Sequence, residues 1–343
     1  MTRPRLFAAL TGFVASFAAL ASPASANADE LQATFDSAFG TEARQPPSFE
    51  ALYADNLQQR IAELANPAQG RIGVAAIDLA TGEEVMVLGD QLFPMASTSK
   101  IAIAGTFLEM VENGRYSLTS EFPLMMPIAS AKYSSAKAPV RAGQYMPAIN
   151  LLEIMITRSS NTATDALLAA VGGPAAVNDW ARRQGITNFS INRDIATLVR
   201  DDGEHNPAVH IDTRDAATPR AMVNLLAGLY RGDFLSDQSR QVLLGAMSRT
   251  VTGKRRIPAH IPLEARVSHK TGSLNNTSSD IGIIECPDGR TIAVAIYVTG
   301  QGTKLAREQR IAAIARALYD GFAVRAQQNP TQNWANAPYA TGG

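Results

Sequence analysis

The stretch Phe93-Pro94-Met95-Ala96-Ser97-Thr98-Ser99-Lys100-Ile101-Ala102-Ile103-Ala104-Gly105-Thr106-Phe107-Leu108 leaves this chain few ways to fold. Pro94 presets a helix entry, and after Ser97 apolar residues continue with almost no polar face. A helix that is apolar all round has to be buried, so a central helix is predicted to begin at Ser97 with Lys100 on its first turn. Residues three apart share a helical face, which lets the Lys100 amine reach the Ser97 hydroxyl. A serine beside a desolvated lysine, at the positive end of a helix, is an activated nucleophile. The Ser-x-x-Lys pattern alone fits an ordinary helix start equally well, and Ser134-Ser135-Ala136-Lys137 repeats it in a polar loop. Only the first copy has an apolar helix behind it, and this favours Ser97.

The chain ends read differently from its middle. Arg3 and Arg5 followed by an apolar run over residues 6–20 and the small residues Ala24-Ser25-Ala26 form a secretory leader, expected to be cleaved after Ala26, with Ala28 as the next choice. The run is too short to span a bilayer comfortably and lacks a charged stop. A periplasmic or secreted protein is the expectation. Residues 27–48 are a loose lead-in and residues 325–343 lack any period, which predicts a disordered tail. Between them, a hydrophobic fraction of 46% against 18% charged residues is enough for a sizeable core. Zero net charge gives no sign of nucleic acid or anionic lipid as a partner, so the expected partner is a small-molecule substrate, with a monomer as the default. Cys286 is the only cysteine and lies in a strand-like run, so no internal disulfide is possible. The histidines 205, 210, 260 and 269 form no helical i, i+4 pair, so neither a metal site nor a cofactor is expected.

Periodicity predicts a helix over 49–64, strands over 71–79 and 84–88, and the buried helix to the stop at Asn113-Gly114. Residues 115–146 read as loop. Helices follow after Pro147, through 164–171 and 175–183, then a long irregular loop to 217 and a helix from Thr218-Pro219. Strands over 266–272, 280–285 and 291–298 and a helix over 304–322 complete the order. Strands from both chain ends must share one sheet around a helical insertion. The predicted organisation is an α/β part from residues 49–92 and 245–324, with an all-helical part from residues 93–244, its loop at about 195–217.

The two parts are expected to meet along a cleft, which three candidate pieces would line: Ser97 with Lys100, then Ser159-Ser160-Asn161 at a helix junction, then Lys270-Thr271-Gly272-Ser273 on a strand. In this order the chain resembles the serine β-lactamase and penicillin-binding protein superfamily, whose motifs are Ser-x-x-Lys, Ser-x-Asn and Lys-Thr-Gly. Arg214-Asp215-Ala216-Ala217-Thr218-Pro219-Arg220 is similar to the end of the class A omega loop, and Thr252 to Pro262 to the segment before the Lys-Thr-Gly strand. The resemblance spans residues 49–322 and implies the β-lactamase/DD-peptidase-like fold, an antiparallel sheet flanked by helices.

It also implies roles. Ser97 is the nucleophile, Lys100 its proton partner, and Ser159 the relay to the leaving nitrogen. Asn161 holds the substrate's side-chain amide. Lys270, Thr271, Gly272, Ser273 and Arg256 form the end that receives a carboxylate, and the backbone amides of Ser97 and Ser273 form the oxyanion hole. Tyr133 matches an aromatic at the cleft mouth or is a surface tyrosine. Counting back from Arg214, the glutamate that activates the deacylating water falls on Asp202, flanked by Arg200 and Asn206, with Glu204 as rival. Solvated acids in a charged run are the other reading of both. The resemblance further implies an Arg200–Asp215 ion pair closing the loop. The expected function is hydrolysis of a β-lactam through an acyl-enzyme. The alternatives are a DD-peptidase, amidase or esterase, or a receptor that acylates without turnover.

Overall fold

The structure, a computed structural model, describes residues 56–328. The leader with its cleavage site, the lead-in over 27–48 and the tail beyond 328 lie outside the described residues. One sheet carries five antiparallel strands, β1 (Ile72–Asp78), β2 (Glu84–Val87), β8 (Arg266–Leu274), β9 (Thr277–Glu285) and β10 (Thr291–Thr299), in the order β2-β1-β10-β9-β8. Strands from the two ends of the sequence therefore pair directly, β1 with β10.

Alternation assigns each face of this sheet. Val74, Ala76, Ile292, Val294 and Ile296 pack with Leu57 and Ile61 of α1 (Asn56–Leu64) and with Ile311, Ile314 and Phe322 of α9 (Lys304–Gln328). Ala75, Ile77, Ala293, Ala295 and Tyr297 face the other way, into the core shared with the helices. Central to that core is α2 (Lys100–Glu112), whose first nine residues are all buried. Gly105 is needed there: a Cβ would stand 2.6 Å from the Trp180 ring. Around α2 pack α3 (Ala148–Thr157), α4 (Asn161–Val171), α5 (Pro174–Arg183) and α8 (Asp237–Ser248), while α7 (Pro219–Arg231) lies against β1, β9 and β10. Thr218 caps α7 by accepting from Ala221 N, and Pro219 fills its first position.

Several expectations need correction. Residues 93–244 are not all-helical: β4 (Glu121–Pro127) and β5 (Val140–Pro147) form a hairpin, and β3 (Phe93–Pro94), β6 (Phe189–Ser190) and β7 (Ala216–Ala217) a small sheet. The hairpin is half exposed, broken by a register shift near Pro123, and so lacks a clean alternation. The long loop contains a short helix, α6 (Ile195–Arg200), started by the Asp194 carboxylate on Thr197 N. α8 had no sequence-level counterpart, and α9 continues past residue 324 to Gln328.

Candidate active site

Ser97 sits on a 3-10 turn, Ala96–Ser99, that runs directly into α2. Ala96 enters the turn at φ 49°, a left-handed conformation that costs a non-glycine residue about 1–2 kcal/mol. Neighbours hold it there. Thr98 Oγ1 donates to Met95 O at 2.8 Å and meets the Tyr297 hydroxyl at 3.1 Å, and Ser99 Oγ donates to Ala96 O at 2.9 Å. Strand β8 passes flush against the turn: a Cβ on Gly272 would be 2.7 Å from Met95 O and 3.1 Å from Ala96 Cβ. The glycine thus admits the protein's own turn, where sequence reasoning assigned it to ligand approach. Ser97's amide opens a helical turn and so lacks an intrahelical acceptor, and β8 is a sheet edge, so its outward amides are unpaired.

Both lysines are fully buried and converge on one residue. Lys100 Nζ donates to Ser159 O at 2.8 Å, Ser159 Oγ at 3.2 Å and Asn161 Oδ1 at 2.8 Å. Lys270 Nζ donates to the same Ser159 Oγ at 2.9 Å and to Thr271 O. Ser159, like Ala96, has positive φ, 57°, which aims its hydroxyl and carbonyl together at the amines. A hydroxyl has two acceptor lone pairs, and with both taken by lysines its proton is left for an outside acceptor. Burial pulls the Lys100 amine down to about 7, against the charge of Asp165. Burial, reinforced by the Lys100 charge, carries Lys270 well below its ordinary value. Two ammonium groups around one oxygen repel, so a neutral amine is available near neutral pH. The Ser97–Lys100 hydrogen bond expected from spacing is not among the Lys100 contacts, which turn toward Ser159 and Asn161.

Asn161 accepts through Oδ1, which points its Nδ2 away from Lys100. A cavity of about 400 Å³ opens beside it, walled by Pro127, Ile128, Ile195, Ala196 and Val199. On the far side, Thr271 Oγ1 meets Thr252 Oγ1 at 2.8 Å. Arg256, 2% exposed, donates to Gly272 O, Ser279 O and Ser273 Oγ at 2.7–2.8 Å, with Glu308 as its counter-ion at 3.2 Å. Beneath Lys270, His269 and Asp280 form a buried pair at 2.9 Å.

The loop acids lie elsewhere. Both oxygens of Asp202 accept from Asn275 N, at 3.0 and 2.8 Å, Glu204 pairs with Arg214, and Asn206 accepts from Asn276 Nδ2. Asp202 and Glu204 line a separate cavity with Leu274 and Asn275. Tyr133, half exposed, donates its hydroxyl to Asp201 O at 3.2 Å. The Arg200–Asp215 pair is not formed: Asp215 binds Arg193 at 2.6 Å, and Arg200 binds Asp201 at 2.7 Å. The loop is longer than the count from Arg214 assumed, and the extra residues coil into α6. Two positions past the closing arginine, where the resemblance puts a carboxylate, stands Ile195, buried beside Asn161. Sequence reasoning also passed over Asp165, a buried acid four residues after Asn161 and the one charged residue of α4; that isolation was its signal.

Residues 56–322 match the model of the beta-lactamase enzyme family. Beta-lactamase CTX-M-25 of Escherichia coli is 32% identical over 272 residues, 78% of this chain and 90% of the relative. Among solved structures, a variant of the last common ancestor of Gram-negative bacteria beta-lactamase class A superposes with a TM-score of 0.67 at 35% identity, over 79% of this chain and 100% of that one. PBP-A superposes with a TM-score of 0.67 at 28% identity, over 79% and 97%.

Proposed function

Because the chain belongs to the beta-lactamase enzyme family, we propose that it is an exported serine hydrolase that opens β-lactam rings through an acyl-enzyme on Ser97. The observation that carries this reading is the meeting of Lys100 and Lys270 on the Ser159 hydroxyl, which joins three separate sequence motifs in one proton path. Neutral Lys100 takes the Ser97 proton as Oγ bonds to the lactam carbonyl carbon. The developing oxyanion is received by the backbone amides of Ser97 and Ser273. Ser159 passes a proton to the ring nitrogen as the C–N bond breaks and is reprotonated from the lysines. Arg256, Lys270, Thr271 and Ser273 supply charge and donors for the substrate carboxylate. Asn161 Nδ2 is available to a side-chain carbonyl. Export rests on the leader in residues 1–26, and a monomer remains the default.

Release of the acyl group is the slow half. Asp202 faces Asn275, and Ile195 stands at the position beside Asn161. This favours a second reading, a DD-peptidase or β-lactam receptor that acylates and scarcely turns over. Incubation with benzylpenicillin, followed by intact mass and product release, separates them. Multiple turnovers support the lactamase, a persistent adduct on Ser97 the receptor or peptidase, and no adduct refutes both.

A further inference from the structure

We propose that Asp165 is a positioning residue of the acyl-transfer site, one that fastens the start of the long loop to α4 and holds a negative charge behind Lys100. This rests on the reading in which Lys100 takes the Ser97 proton. Asp165 follows Asn161 by four residues in α4, so the two side chains share a helical face. Asn161 meets the Lys100 amine at 2.8 Å, and Asp165, 6% exposed, lies one turn deeper on that face.

Its oxygens are divided between two backbone amides. Oδ1 accepts from Ile195 N at 2.7 Å and Oδ2 from Ala196 N at 2.8 Å. These are the first amides of α6, which have no partner inside the helix, so the carboxylate completes the helix start that Asp194 caps from its own side. One group therefore sets where the loop leaves the body and places Ile195 beside Asn161.

The same group acts on Lys100. Burial raises the Asp165 carboxyl to about 6 in spite of its two amide bonds, so it is charged at neutral pH. Its charge holds the Lys100 amine up against burial. The other charges nearby act differently. Lys270, faced by Asp280 and Arg256, approaches Lys100 from β8 and is itself depressed by the Lys100 charge. Asp194 raises Asp165, while Lys137 and Arg200 border the two cavities that Asp165 lines. Arg200 is already paired with Asp201. Asp165 takes no proton in the reaction; it sets the pH at which Lys100 can take one.

The test is a titration of Lys100 by NMR in the full-length protein labelled with 13Cε-lysine, the signal identified by its loss in Lys100→Met. In Asp165→Asn the Lys100 midpoint should fall on the order of one pH unit, and the acidic limb of benzylpenicillin acylation should move down with it. A folded Asp165→Asn protein whose Lys100 midpoint stays at the parent value overturns the proposal. Should that variant not fold, linkage supplies the reciprocal: Lys100→Met must raise the Asp165 carboxyl midpoint by the same amount, and an unmoved midpoint overturns it equally. The midpoint is read without turnover. A parent protein that penicillin never acylates refutes the functional reading, whereas a static midpoint refutes this one.

Discussion

Arg193 Nε lies 2.6 Å from Asp215 Oδ2, and Asp215 Oδ1 also accepts from the backbone amides of Asn192 and Arg193. This clasp, between side chains 15% and 7% exposed, closes the long loop. Removing one member of such a pair strands the other, at a cost of about 3 kcal/mol. In a double-mutant cycle, Arg193→Ala with Asp215→Asn should show a coupling above roughly 1 kcal/mol, and Arg200→Ala with Asp215→Asn roughly none. Denaturant unfolding of the six proteins decides it. Strong coupling of Arg200 to Asp215 would restore the pairing expected from the residue count.

Ser97→Ala should abolish labelling by a fluorescent penicillin while unfolding stability stays within about 0.5 kcal/mol of the parent. The half-buried hydroxyl sits on a turn held by Thr98 and Ser99, so it contributes chemistry and little packing. Ser134→Ala should be silent, because that hydroxyl only bonds Ala131 O within its own turn. Labelling that survives in Ser97→Ala identifies a different nucleophile.

Gly272→Ala places a Cβ 2.4 Å from Ser279 Oγ and 2.7 Å from Met95 O. Strand β8 and the Ser97 turn must then separate. Overpacking costs about 1–3 kcal/mol, and a displacement near 1 Å costs about 10²-fold in acylation rate. Stopped-flow acylation and thermal unfolding measure both, and parent-like acylation would show that the turn is not positioned by β8.

The acylation rate should fall about tenfold per pH unit below roughly pH 7 as Lys100, with its midpoint at about 7, becomes protonated. The effect on stability has a defined sign. The Lys100 midpoint is lower in the folded state than the ordinary 10.5, so the unfolded chain binds the extra proton between about 7 and 10.5. Its contribution is therefore most destabilising below about 7 and is relieved as pH rises across that window. Lys100→Met should gain stability over the parent at pH 6 and lose that advantage by pH 10. A constant difference across this range would mean that Lys100 titrates normally.

Ile195→Glu should raise steady-state penicillin turnover while leaving the acylation burst unchanged, since it puts a carboxylate two residues past the closing arginine and beside Asn161. Asp202→Asn should leave release of the acyl group unaltered and weaken only the contact with Asn275 N. Single-turnover kinetics reads both. Trapping of the acyl-enzyme in Asp202→Asn would return the role of base to Asp202.

The sequence by itself determined the elements whose physics is local or periodic. The apolar run after Ser97 could only be a buried helix, and residues 71–79 and 291–298 read as strands, whose burial on both faces the structure added. Thr218-Pro219 had to start a helix. The order of the three motifs carried the family, because their residue types and sequence order survive any detail of the loops between them. Tertiary structure alone decided the pairings. Whether Lys100 turned to Ser97 or to Ser159 depended on where the α3–α4 junction lies, and Ser159 with its positive φ proved the common partner of both lysines. Which arginine met Asp215 depended on how many residues coil into α6, a short helix that no window of hydrophobic period resolves. The place of each loop carboxylate followed from that register, and Asp165 became visible only when burial and two amides of α6 surrounded it. Ion pairs and hydrogen bonds join residues far apart in the chain, and their energy depends on distances that spacing along the sequence does not set.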